Sequence, residues 1–214
     1  MQNSRQLRRR LRIRRRSLTA TEQRKHAAAL SRLLTSSLQF RRARRVAFYV
    51  AADGEIDPAS ALRAALRAGK RCYLPVLRRY RPGALWFTAY QNRTRLRRNR
   101  FGISEPVFRH RKRVPPWGLE LILLPLVGFD LDCHRLGMGG GFYDRTLGYL
   151  RRRRHWRAPR LIGLAHECQR LDQIEPQPWD IPLDAVVTER GWYRCKAAAA
   201  SSAGAAQPTP ANNL

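Results

Sequence analysis

The stretch LILLPLVGFDLDCHRLGMGGGFYDR, residues 121–145, decides the fold. Leu121 to Phe129 is an apolar run of strand length, and four glycines among positions 137–141 lead into Phe142, Tyr143, Asp144 and Arg145. The order reads strand, glycine-rich loop, helix. Glycines let backbone N–H groups approach an anion with no Cβ in the way, and a following helix turns the positive end of its dipole toward the same anion. Chemistry on a phosphorylated ligand is the leading expectation. The string is neither of the two commonest phosphate motifs. A nucleotide P-loop needs Lys-Ser/Thr after its last glycine, and a dinucleotide fingerprint needs two residues between its second and third glycines; here Gly141 is followed by Phe142. As bare spacing, a plain turn between strand and helix explains it equally well.

Upstream, Leu7, Leu11 and Leu18 give a thin apolar seam to a basic helix predicted over Arg5 to Ser17, within a basic segment 4–18. Thr19 with Glu22 three residues later predicts a capping box that opens a second helix through Leu30, Leu33 and Leu34. Val46 to Val50 reads as a buried strand, and Asp57-Pro58 opens a helix through Leu62 and Leu66 that stops at Gly69. Residues 71–76, Leu85 to Ala89 and Leu121 to Leu124 read as further strands, with the arginine-laden 91–113 as a surface loop. Downstream a helix is expected over Tyr143 to Arg153, then strands at Leu161 to Ala165 and Ala185 to Thr188. Such alternation predicts a single three-layer α/β domain with a mainly parallel sheet over residues 1–195. Residues 196–214, rich in Ala, Ser, Pro and Asn, read as a disordered tail.

The 43 Lys plus Arg against 15 Asp plus Glu give a formal charge of +28, and arginine supplies nearly all of the excess. Clustered arginines neutralise nucleic-acid phosphates, but here they spread from Arg5 to Arg194 rather than forming one stripe. A solvated basic surface meeting anionic small molecules is the preferred reading, with only non-specific RNA binding expected. The N-terminus is charged and no apolar signal region follows it; no apolar run approaches a membrane span. Cys72, Cys133, Cys168 and Cys195 stand far apart, with no metal-ligand spacing, which fits a reduced cytoplasm. Cys133 precedes the glycine loop but has no sequence-placed His or acid to activate it. His134 and His166 lack a partner at HxxH-type spacing.

In an open α/β sheet, ligands settle at the carboxyl ends of the strands. Val50 to Glu55, Gly128 to Gly141 and the region around Asp184 near the last strand are expected there. A nucleotide needs backbone donors and arginines for its phosphates, and a divalent ion needs one or two hard carboxylates. Asp144, opening the helix after the loop, is the carboxylate placed to reach such an ion.

The segment Leu124 to Asp130 followed by Arg135 to Arg145 resembles the signature of the 5-formyltetrahydrofolate cyclo-ligase family. Three further blocks agree in order: the basic N-terminal helix ending Arg16-Ser17-Leu18-Thr19, the segment Phe48 to Asp57, and Trp179 to Thr188. The resemblance spans roughly residues 4–193. It implies ATP-dependent conversion of 5-formyltetrahydrofolate to 5,10-methenyltetrahydrofolate, ADP and phosphate, by a monomer in the cytoplasm, on the architecture of sugar-phosphate isomerases and CoA transferases. The implied ATP contacts are Ser4, Arg5, Arg8, Arg135, Gly137, Met138, Gly139, Gly140, Gly141, Phe142 and Tyr143, with Arg135, Tyr143 and Asp144 at the reacting centre. Val50, Glu55, Met138 and Phe142 fall on folate positions, and Asp144 and Asp184 on the Mg²⁺ side. Family members usually carry a lysine near the start of the first block, where this chain has Ser4 or Arg5. The residues alone also fit a basic RNA-binding protein or a sugar-phosphate isomerase-like enzyme. The first would interleave exposed aromatics with arginines, for which Trp86, Phe87 and Tyr90 beside Arg93 and Arg95 are the nearest match; the second would need no ATP.

Overall fold

A computed structural model of the chain describes residues 4–78, 83–107, 113–152 and 159–194. Among the described residues there are five α-helices: α1 (Ser4–Arg16), α2 (Ala20–Ser36), α3 (Leu38–Arg42), α4 (Ala59–Arg67) and α5 (Phe142–Leu147). The sheet strands are β1 (Arg45–Ala47), β2 (Arg71–Leu77), β3 (Leu85–Tyr90), β6 (Arg113–Val114), β7 (Leu121–Pro125), β10 (Arg160–Leu164), β11 (Ala185–Val187) and β12 (Trp192–Arg194). Two small hairpins stand apart from it: β4 (Leu96–Arg98) with β5 (Ser104–Pro106), and β8 (Gly128–Phe129) with β9 (Arg135–Leu136).

The eight strands run in the order β12-β11-β10-β7-β1-β2-β3-β6. The central five are parallel, and β3, β6 and β12 add antiparallel margins. Central strands are apolar on both faces because helices cover both. Val46, Leu121, Leu123 and Ile162 point to one core layer with Leu30, Leu34, Ala61 and Ala65 of α2 and α4. Ala47, Ile122, Leu124 and Leu161 point to the opposite layer with Leu147, Ile181 and Leu183. The period-two alternation within each strand thereby fills both sides of a three-layer fold.

Local chemistry fixes the helix ends. Thr19 and Glu22 form the expected reciprocal cap, with Glu22 N–H on Thr19 Oγ1 at 3.2 Å and Thr19 N–H on Glu22 Oε2 at 2.7 Å. The strand expected through Val50 ends at Ala47, although Phe48 N–H still reaches Tyr73 O at 2.9 Å. The described parts of segment 91–113, residues 91–107 and 113, are not a plain surface loop. They hold the β4–β5 hairpin and β6, anchored by buried Glu105, which accepts from Leu77 N–H at 3.1 Å. The helix expected over Tyr143 to Arg153 is six residues of α5 and then a 3-10 turn, Gly148–Arg152; Arg153 and the tail lie outside the described residues.

α1 lies across the carboxyl end of the sheet. Leu7 and Leu11 pack on Val127, Leu136, Leu171 and Ile174, forming a third core apart from the other two. Gly128 permits this approach, since a Cβ there would stand 2.7 Å from Leu11 Cδ1. The basic helix is thus held over the two loops that leave β1 and β7.

Candidate functional site

The glycine loop runs from Gly137 to Gly141, with φ of +92° at Gly139 and +59° at Gly141, where side chains would be strained. Arg145 N–H on Gly141 O, at 3.0 Å, is the bond that begins the α5 ladder. Helical geometry therefore leaves the N–H groups of residues 142–144 for an outside acceptor. With only six residues α5 contributes a small dipole, so anion attraction rests on these N–H groups and on nearby arginines.

Arg8 on α1 donates from Nε to Gly137 O at 2.8 Å, which seats its guanidinium on the loop. Arg135 pairs with Asp144 across the loop, its side chain 6% exposed and that of Asp144 22%. Arg145 is committed to bracing, donating to Gly83 O and Gly140 O. Ser4 and Arg5 are exposed at the start of α1. Phe142 meets Phe101, at the turn of the β4–β5 hairpin, edge to face with centroids 5.7 Å apart. Met138 and Phe101 are half exposed, so an apolar rim flanks the loop.

On the other side stands the loop after β1. Asp53 adopts φ of +54°, and its carboxylate is held by Arg12, Arg15 and Arg16. Burial raises its pKa, but hydrogen bonds from Arg12, Arg16 and Arg15 outweigh this and hold it at about 2. Glu55 is pushed up to about 7 by burial, against the Arg15 charge and the Ala52 N–H bond, which favour the carboxylate. Tyr143 of α5 and Tyr49 are both raised by burial and then by the Glu55 charge. Val50 packs partly buried against the α2–α4 core layer.

Sequence reasoning missed Arg15, which joins the two sides. Wholly buried, it donates from Nε to Asp53 O at 2.8 Å, from Nη1 to Leu126 O at 3.0 Å, and from Nη2 to Asp53 Oδ2 at 2.8 Å. Met138 Sδ lies 3.9 Å from Nη2, and Glu55 Oε1 3.8 Å. The signal was present: Arg15 stands four residues after Leu11 and eight after Leu7, on the apolar row of α1.

Asp184 is not brought to Asp144. Its Oδ2 accepts from Leu161 N–H at 2.7 Å, at the amino ends of β10 and β11, the far end of the sheet from the glycine loop. His134 is tied to buried Asp130 at 2.9 Å, and Cys133 is wholly buried. Trp86 carries the guanidiniums of Arg78 and Arg113 at 3.6 and 4.4 Å from its ring centroid, so its ring is already stacked within the chain. Among the described residues no helix is long and apolar enough to cross a membrane.

The family model described as 5-formyltetrahydrofolate cyclo-ligase family matches residues 1–189. The 5-formyltetrahydrofolate cyclo-ligase of Escherichia coli (strain K12) is 39% identical over 180 residues, spanning 83% of this chain and 96% of that protein. Its namesake in Haemophilus influenzae is 35% identical over 184 residues, spanning 85% and 95%. The NMR structure of Aquifex aeolicus 5,10-methenyltetrahydrofolate synthetase is similar with a TM-score of 0.76 at 29% identity, covering 91% of this chain and 93% of that one.

Proposed function

The chain belongs to the 5-formyltetrahydrofolate cyclo-ligase family, and from that premise we propose that it closes 5-formyltetrahydrofolate to 5,10-methenyltetrahydrofolate at the expense of ATP. The observation that carries this reading is the Arg15 bridge, which puts a phosphate-type loop and the acid Glu55 on the two sides of one site. The reacting carbonyl belongs to an N-formyl group, whose oxygen leaves poorly. Its attack on the γ-phosphorus forms an O–P bond, breaks the bond to ADP, and leaves a formyl carbon double-bonded to N5. N10 then attacks that carbon, the C–O bond breaks with release of phosphate, and loss of the N10 proton completes the ring. Positioning and charge neutralisation do most of this work, so no protein nucleophile is needed.

The residues fit those demands. N–H groups of the loop and first turn of α5, with the Arg8 and Arg135 guanidiniums, suit phosphate oxygens. Ser4 and Arg5 at the open end of α1 would extend contact along the nucleotide. Asp144 has one oxygen on Arg135 and a second for Mg²⁺, which would supply charge neutralisation between phosphates; one protein carboxylate with phosphate and water completes such a shell. Asp184, at the far end of the sheet, is assigned to holding β10 instead. Glu55 as carboxylate suits the amino and ring N–H groups of the pterin, with Val50, Met138 and Phe142 as its apolar border. The reading retains a cytoplasmic monomer without a nucleic-acid partner.

The test mixes purified protein with 5-formyltetrahydrofolate, Mg²⁺ and ATP in mildly acidic buffer. The near-ultraviolet band of the methenyl product should grow only with ATP. Growth without ATP, or none from folded protein, overturns the reading.

A further inference from the structure

His26 of α2 meets His166 and Glu189, which follow β10 and β11. The two imidazoles face each other through Nδ1 at 3.0 Å, and His26 Nδ1 lies 3.7 Å from Glu189 Oε1. The three donor atoms all fall within 4.8 Å of one another. We propose that His26, His166 and Glu189 form a transition-metal site, of the Zn²⁺ class, that fastens α2 to the carboxyl ends of β10 and β11.

The spacing is that of ligands. Zn²⁺ holds nitrogen at about 2.0–2.1 Å, so two imidazole nitrogens on one tetrahedral ion stand about 3.3 Å apart. The 3.0 and 3.7 Å separations bracket that value. Two nitrogen lone pairs facing each other repel unless a proton or a metal ion stands between them. His166 has no exposed surface and presents its Nδ1 to His26.

The supporting groups are arranged as metal sites require. Glu167 N–H holds Glu189, at 3.2 and 3.0 Å from its two oxygens, and His166 N–H is fixed on Gln169 Oε1 at 2.8 Å. A cavity of about 480 Å³, lined by Arg14, His26, Cys168, Arg170, Glu189 and Arg190, gives an ion a way in. The arginines oppose a bare cation, but Arg170 is spent on Glu167 at 2.9 Å. Arg14 and Arg190 would favour hydroxide or another anion as the fourth ligand.

The test uses untagged, chelator-treated full-length protein titrated with Co²⁺ by visible absorption and with Zn²⁺ by calorimetry. One equivalent should bind, with the intense ligand-field bands of a tetrahedral ion. His26→Ala and Glu189→Gln should each weaken binding about 100-fold, since even outer supports of metal ligands are worth 10–100-fold. His26, with its side chain 24% exposed, tolerates exchange better than buried His166. Cys168→Ser and Asp144→Asn should bind as the parent does. Absence of saturable binding leaves the imidazoles sharing a proton and overturns the proposal, as does binding that survives His26→Ala or is lost in Cys168→Ser.

Discussion

Arg15 Nη2 lies 2.8 Å from Asp53 Oδ2 with no part of the arginine side chain exposed to solvent. A buried charge is tolerable only when paired and hydrogen-bonded, and Arg15 has its partners from three places: the loop after β1, the end of β7 and the glycine loop. Removing it takes one of three guanidiniums from Asp53, the nearby cation from Glu55, and one of two donors from the Leu126 carbonyl, which keeps Gln169 Nε2. Arg15→Met should cost about 3–5 kcal/mol in denaturant unfolding, the usual loss when one partner of a buried pair goes. A loss under about 1 kcal/mol, with substrate affinity intact, would refute the bridge.

Asp53 sets an acid limit on that bridge. Its carboxylate is held near 2 against an ordinary 3.8, so the lowered pKa contributes stability that is present above about pH 4 and lost as pH falls toward 2. The size is about 2 kcal/mol. Asp53→Asn should flatten the acid limb of a stability-versus-pH curve by that amount.

Glu55 works in the opposite sense. Its pKa is raised to about 7, so its contribution to stability is full below about pH 4.5 and is lost as pH rises through 7. Glu55→Gln should be more stable than the parent at pH 8 by about 2–3 kcal/mol while binding reduced folate more weakly. If the carboxylate is the form that accepts from the pterin, affinity for a non-reacting reduced folate rises from pH 6 to 8 and levels off. In Glu55→Gln that slope should vanish; a parallel slope in both proteins would remove Glu55 from the folate site.

The two candidate metal-side aspartates separate by position. Asp144→Asn should abolish the Mg²⁺ dependence of nucleotide binding along with turnover. Asp184→Ala, which removes the acceptor for Leu161 N–H, should lower the unfolding midpoint with Mg²⁺ dependence unchanged. A selective Mg²⁺ defect in the Asp184 variant would contradict its assignment.

Phe101 and Phe142 tie the β4–β5 hairpin to the glycine loop. Such pairs are worth about 0.5–1.5 kcal/mol. Phe101→Ala should raise KM for folate severalfold with kcat little changed; a pure kcat effect would place Phe101 elsewhere in the cycle.

The sheet was legible because its central strands alternate between two buried layers, and β7 with the glycine loop carries both strand and turn chemistry in one stretch. The margins were not. β12 is three residues long, and β4 has no buried residue, so neither shows an apolar pattern. Arg8, Arg135, Asp144 and Glu55 were readable through motif likeness. Arg15 was hidden by thirteen residues of α1 in which arginine is everywhere, and only its place on the Leu7–Leu11 row marks it as buried. Asp184 was assigned by family position, whereas register decides which end of a strand a residue occupies. The His26–His166 contact joins residues 140 apart in sequence and no spacing rule could find it.

The central claim is that the formyl oxygen is the atom phosphorylated. Substrate carrying ¹⁸O in its formyl group, turned over with ATP and Mg²⁺, should yield inorganic phosphate bearing that label, read by mass spectrometry. Unlabelled phosphate from enzyme-dependent turnover, with the label recovered in water, would contradict it.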